Sequence, residues 1–195
     1  MTRAVRRTFI CLTLLALSVG LPGCRPSPSP APQLTSARLA VTLPTPMLAG
    51  ETSLEEALLG RRSVREFKDT PLTTAELGQL LWATQGITNE RGFRTAPSAG
   101  ALYPLETYVA TAEGLFHYDP KEHQLWTVSP EDARQGLYDA ALRQEPVLQA
   151  PAVFVLTAVY ERTAQKYGTE RGPRYVHLEA GHAAQNLLLE AVVLG

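Results

Sequence analysis

The residues most able to do chemistry lie in two short runs. Arg61-Arg62-Ser63-Val64-Arg65 puts three guanidinium groups and a hydroxyl within five positions. Guanidinium is planar, always charged, and donates paired hydrogen bonds to phosphate oxygens, so such a cluster can clamp a phosphate. A solvated basic turn after a helix C-terminus would have the same composition, because cations are favoured there by the macrodipole. The second run, Ala96-Pro97-Ser98-Ala99-Gly100-Ala101-Leu102-Tyr103-Pro104, consists mostly of small residues framed by prolines. Small side chains let a flat ligand lie against the backbone, where amide donors reach ring carbonyls. A plain loop entering a strand would read the same way. The four histidines do not show metal-ligand spacing: His117 and His123 flank a turn, and His177 and His182 are five apart on a helix.

The elements that must position these runs are legible from caps and periodicity. Ser53 and Glu56 form a capping-box pattern ahead of Leu54, Ala57 and Leu58, with Gly60 after them, predicting a helix over Leu54–Leu59. Thr73 and Glu76 repeat the pattern, and Leu77, Leu80, Leu81 and Thr84 at helical spacing predict a helix over Thr74–Gln85. Thr107–Thr111, Leu115–Tyr118 and Gln124–Val128 are β-prone runs separated by turn residues, a meander. Pro130 and Asp132 signal a helix over Asp132–Leu142. The apolar run Ala152–Val159 predicts a central strand buried on both faces. Tyr175–Leu194, with Val176, Ala180, Ala183, Ala184, Leu187 and Leu188 at helical spacing, predicts the longest helix, its alanine stripe allowing close approach in the core or across a subunit interface.

Length and charge bound the rest. At 195 residues the chain suits one globular domain, and 18 basic against 19 acidic residues leave no broad basic field for nucleic-acid binding. Both cysteines, Cys11 and Cys24, precede the domain, so its body holds neither a disulfide framework nor a thiolate cluster. Arg3, Arg6 and Arg7 followed by an apolar run from Phe9 to Leu21 read as a signal segment, residues 1–23. Leu21-Pro22-Gly23-Cys24 resembles a bacterial lipobox, implying an exported protein anchored to the membrane by a lipid on Cys24. Arg6-Arg7-Thr8-Phe9-Ile10 resembles a twin-arginine export signal, a route that carries folded, cofactor-loaded protein. Cleavage would take the formal charge from −1 to −4. Residues 24–50, with six prolines, read as a tether, and the folded domain is expected over residues 51–195.

Taken together in order, Arg61-Arg62-Ser63-Val64-Arg65-Glu66-Phe67, Pro97 to Glu106, Leu115-Phe116-His117-Tyr118-Asp119 and Leu178-Glu179-Ala180-Gly181-His182-Ala183-Ala184-Gln185-Asn186-Leu187 resemble the nitroreductase superfamily, specifically its SagB/ThcOx-type dehydrogenase branch. The resemblance covers Ser53 to Gly195. It implies an α+β fold, a central antiparallel or mixed sheet wrapped by helices, with FMN bound at a homodimer interface. Arg61, Arg62, Ser63 and Arg65 would then hold the ribityl phosphate, and Pro97, Ser98, Ala99 and Gly100 of the partner would approach the isoalloxazine. Azoline-oxidising members of the branch use a Lys-Tyr pair near the flavin, and Lys166-Tyr167 stands in a comparable place; an exposed Lys and a packed Tyr would look alike. In the family pattern His182, Gln185 and Asn186, on one helix face by their spacings of three and four, read as structural or as supporting the site residues from behind. The resemblance thus implies an FMN-dependent oxidoreductase transferring a hydride between a small-molecule or peptide substrate and flavin. Family members continue past the long helix through a Gly-rich turn to a C-terminal strand and arm, whereas this chain stops at Leu194-Gly195. That suggests a shortened gene product or a partly lost cofactor site, and so a second expectation, a catalytically degenerate binding or scaffold lipoprotein.

Overall fold

A computed structural model describes residues 39–195. The expected signal segment, with Arg6-Arg7, and Cys24 lie outside the described residues. In chain order the elements are β1 (Ala40–Thr42), α1 (Leu54–Gly60), α2 (Thr74–Gln85), a single 3-10 turn (Ala99–Ala101), β2 (Leu105–Thr111), β3 (Gly114–Asp119), β4 (Gln124–Ser129), α3 (Arg134–Ala140), α4 (Glu145–Gln149), β5 (Ala152–Ala158) and α5 (Tyr160–Leu194).

Both capping boxes form. The Ser53 and Thr73 hydroxyls accept from the Glu56 and Glu76 amides, and each glutamate reaches back to the N-cap amide. These two reciprocal bonds satisfy donors that a helix start leaves unpaired. The meander is β2-β3-β4, and the full sheet runs β1-β4-β3-β2-β5 with every pair antiparallel.

One face of this sheet carries the core. Register places Val109 opposite Phe116 and Phe154, Tyr118 opposite Leu125, and Leu105 opposite Ala158, so all of these side chains share a face. At one end Leu43, Leu81, Val109, Tyr118 and Leu125 form a buried cluster against α2; at the other, Ala96, Leu105, Val176 and Ala183 pack against α5. Tyr108, His117 and Trp126 follow the alternate parity and occupy the opposite face.

Three sequence expectations are corrected. First, the fold does not begin near Glu51. Ala40–Thr42 pairs with β4, Leu43 enters the core, the Pro44 carbonyl accepts from His123 Nε2, and Met47 exchanges two backbone bonds with the Gln79 amide. Because a carbonyl only accepts, His123 carries its proton on Nε2 and its Nδ1 accepts from the Tyr118 hydroxyl. Second, β5 is not central: among the described residues it pairs with β2 alone and ends the sheet, its residues mostly half-buried. A continuous apolar run fixes neither a strand's place in the sheet nor its burial: no residue of β5 is fully buried. Third, the helix expected over Asp132–Leu142 is shorter, and α4 follows it with Pro146 in its first turn.

The long helix is longer than its periodicity suggested, and broken. Gly168, at φ 77 and ψ 167, interrupts α5 and turns it into a hairpin of two helical arms. The arms lie side by side: a Cβ on Gly172 would meet the Ala164 backbone at 3.2 Å, and the Tyr160 hydroxyl bonds His177 Nε2 at 3.0 Å. Among the described residues no helix is long and apolar enough to cross a membrane.

Candidate functional site

The loop between α2 and β2 is built to hold an unusual backbone. Behind it, the Thr95 amide and hydroxyl bond the Gly86 and Trp82 carbonyls at the end of α2, and Ala96 is fully buried. In front, Pro97 and Gly100 are exposed, with Ser98 and Ala99 half-buried. Gly100, Ala101 and Tyr103 have φ of 66, 53 and 45. Two of these left-handed residues carry a Cβ, at a cost of about 1–2 kcal/mol each. Such strain persists only where the surroundings over-determine it.

The surroundings do. Ser98 Oγ accepts from the Tyr103 amide at 2.9 Å, closing the loop on itself. The Tyr103 hydroxyl accepts from the Arg94 amide, and the Arg94 guanidinium lies 4.6 Å from the centre of the Tyr103 ring. The Tyr103 carbonyl accepts from Arg162 on the first arm of α5. Arg162 also pairs with Glu106, whose other oxygen meets His117 Nε2 at 2.7 Å. Burial pushes the Glu106 carboxyl up, but the bonds from His117 and Arg162 outweigh it and hold its pKa below the usual range.

The first arm of α5 ends on this loop. A Cβ built on Gly100 would meet both Lys166 Nζ and the Tyr167 hydroxyl at 2.9 Å. The structure therefore brings together Gly100, Lys166 and Tyr167, with Ser98 and Ala99 in the same turn. Tyr167 stacks edge-on against Tyr175 at 4.7 Å between ring centres, so its hydroxyl end is held by packing.

Arg61, Arg62, Ser63 and Arg65 do not join them within one chain. They follow α1 on an irregular segment; Arg62, Ser63 and Arg65 are exposed, Arg61 is half-buried, and Arg62 Nη1 bonds the Arg61 carbonyl. This segment lies along the far end of α5: Gly60 abuts Val192, and Lys68 Nζ bonds the Gly195 carbonyl at 2.8 Å. The 98–103 loop neighbours the same helix at Glu179, so the two runs are separated by about 20 Å of helix. None of the three arginines makes an ion pair among the described residues. His182 and Gln185 are exposed, and Asn186 lines a shallow groove with Ser53, Trp82 and Glu190.

Sequence reasoning missed the polar residues behind the loop. Arg94 Nη1 donates to Gln85 Oε1 at 2.8 Å, and Glu179 is 2% exposed with the Ser98 hydroxyl and the Arg94 charge as neighbours. One signal was available: Glu179 falls in the buried row Val176, Ala180, Ala183, where a carboxylate has no place in a purely packing helix.

An antiparallel five-stranded sheet covered on one face by helices, with a strained small-residue loop capped by a helical hairpin, defines an α+β domain. The Nitroreductase family model matches residues 58–195, and the chain belongs to that family. It is 48% identical over 151 residues to the nitroreductase-like protein MJ1384 of Methanocaldococcus jannaschii, covering 74% of this chain and 76% of that one. It is 28% identical over 121 residues to the trifolitoxin-processing protein TfxB of Rhizobium leguminosarum bv. trifolii, which spans 55% of this chain but only 32% of TfxB. A crystal structure of a nitroreductase-like protein from Ralstonia eutropha superposes with a TM-score of 0.72 at 33% identity, covering 83% of this chain and 74% of that one.

Proposed function

We propose that the protein is an FMN-dependent oxidoreductase of the SagB-type dehydrogenase branch, working as a homodimer in which each flavin site takes residues from both protomers. The observation that carries this reading is the convergence on Gly100, where a left-handed glycine leaves room that any side chain would fill and where Lys166 Nζ and the Tyr167 hydroxyl arrive together. The residues present fit the cofactor. A loop with exposed Pro97 and Gly100 offers backbone to a flat ring, and three arginines that pair with no carboxylate among the described residues suit a phosphate.

When bound, FMN supplies a two-electron acceptor or donor for hydride. The chain does the rest. Arg61, Arg62, Ser63 and Arg65 would hold the phosphate, and the 98–100 backbone would orient the ring. Lys166 Nζ and the Tyr167 hydroxyl would exchange a proton with the substrate, as a positioned acid-base pair does. The 20 Å separation within one chain supports the two-protomer arrangement, since a single copy offers only one half to any one flavin.

The substrate is proposed to be a small organic molecule or a peptide, and similarity to a trifolitoxin-processing protein favours the peptide. An exported, lipid-anchored location through Cys24 belongs to the same proposal and rests on the signal-like residues 1–24. The test is titration of purified protein with FMN and with riboflavin, read by flavin fluorescence. FMN should bind and riboflavin should bind more weakly; absence of binding by either would refute the proposal.

A further inference from the structure

The first arm of α5 opens with a cation that its own helix does not favour. Arg162 lies in the first turn, where the positive end of the helix dipole opposes a guanidinium. Its side chain serves two other elements instead. Arg162 Nη2 pairs with Glu106 on β2, and Arg162 Nη1 donates to the Tyr103 carbonyl at 3.1 Å. Glu106 is itself tied to β3, its other oxygen 2.7 Å from His117 Nε2. One guanidinium thus joins the sheet, the helical arm and the end of the loop, a bridge that suits the planar fork of arginine.

The carbonyl it holds belongs to a strained residue. Tyr103 has φ 45 although it precedes Pro104, and a proline steers the residue before it toward extended backbone. Lys166 lies one turn further along the same face of the arm, about 6 Å on. The arm therefore meets the loop twice: through Arg162 at Tyr103, and through Lys166 and Tyr167 at Gly100, where an added Cβ would lie 2.9 Å from both side chains. The first contact is anchored in the sheet by Glu106, whereas Lys166 is exposed, so the first sets where the second falls.

We propose that Arg162 is a positioning residue: anchored by Glu106, its guanidinium grips the Tyr103 carbonyl, holds the left-handed end of the loop and fixes how closely Lys166 and Tyr167 approach Gly100. The consequence for flavin affinity rests on the function proposed above; the effects on the loop and on the approach do not.

The experiment uses the protein without flavin. Arg162→Met removes the bridge and keeps an apolar stem. Glu106→Met, which releases the guanidinium from the sheet, is the second route in case the first variant does not fold. Amide hydrogen exchange is read at Ala101 and Tyr103, whose N–H groups bond the Ser98 carbonyl and hydroxyl oxygens. Each variant should speed exchange there by about tenfold. The double variant should be no worse than either alone, because both lesions act through one guanidinium. A second readout separates positioning from simple support of the fold. Gly100→Ala and Tyr167→Ala form a stability cycle, measured by denaturant unfolding in wild type and in Arg162→Met. Their coupling should fall by about half or more once the arm can move away, whereas a residue that only supported the fold would leave it intact. Wild-type exchange in both methionine variants, additive effects, or a coupling that is absent in wild type or undiminished in Arg162→Met would overturn the inference. Loop and coupling responses as described, in a protein that binds no FMN or whose FMN affinity does not change, would uphold the inference and count against the flavin reading alone.

Discussion

Gly100→Ala tests whether the loop and the Lys166-Tyr167 pair share one space. At φ 66 the backbone penalty for a Cβ is about 1–2 kcal/mol. The new methyl also meets Lys166 Nζ and the Tyr167 hydroxyl at 2.9 Å, closer than carbon contacts allow. The lysine tip can swing away cheaply, whereas Tyr167 is held by Tyr175, so the strain should fall on the tyrosine and the loop. For a fold of this size the backbone term alone lowers Tm by about 2–8 °C. Denaturant unfolding of Gly100→Ala, Tyr167→Ala and the double variant then forms a cycle. Removing the ring relieves the clash, so the double variant should be more stable than the sum of single losses predicts, by at least about 0.5 kcal/mol. Strict additivity, or a Gly100→Ala protein as stable as wild type, would refute the packing described for this site.

Other consequences follow from single residues. Arg61→Gln with Arg65→Gln should weaken FMN by about tenfold or more per charge-assisted bond lost and leave riboflavin affinity unchanged, as read by fluorescence titration. Glu106, held below its ordinary pKa in the folded state, contributes stability that is present above about pH 4.3 and is lost as pH falls through its folded pKa. The stability gap between wild type and Glu106→Gln should accordingly shrink on acidification from pH 6 to 3, measured by chemical unfolding. Leu81→Ala, at a fully buried position, should cost about 2–5 kcal/mol, and Thr73→Ala about 1 kcal/mol through its capping box, both measured by thermal unfolding.

The parts of the fold that could be read from sequence are those specified locally. Thr73, Glu76 and Gly86 bracket α2 because caps act within four residues, and the observed bounds match the expected ones. The meander was legible because its turns carry Glu113-Gly114 and Asp119-Pro120 between β-branched runs. What was not legible depends on distant partners. Three residues of β1 in a proline-rich stretch have no periodicity of their own and become a strand by pairing with β4. The first arm of α5, rich in charge and ended by Gly168, gains its helix by packing against Gly172 and His177. At the site, Lys166 and Tyr167 were named through a family likeness, and only the tertiary fold brings them to Gly100. Glu179 and Arg94 escaped notice because their significance lies in a buried carboxyl and a half-buried guanidinium meeting behind a loop, and burial of a charge cannot be read from its neighbours in sequence.

The central claim is that one flavin site is assembled from the arginine segment of one protomer and the loop of its partner. Mixing a chain carrying Arg61→Gln, Arg62→Gln and Arg65→Gln with one carrying Gly100→Val, each alone defective in FMN binding, measures this directly. Random re-association should restore FMN binding to about a quarter of all sites, the one intact site of each mixed dimer. If the mixture binds no more FMN than its two components do separately, the arginines and the loop do not meet across a dimer and the account fails.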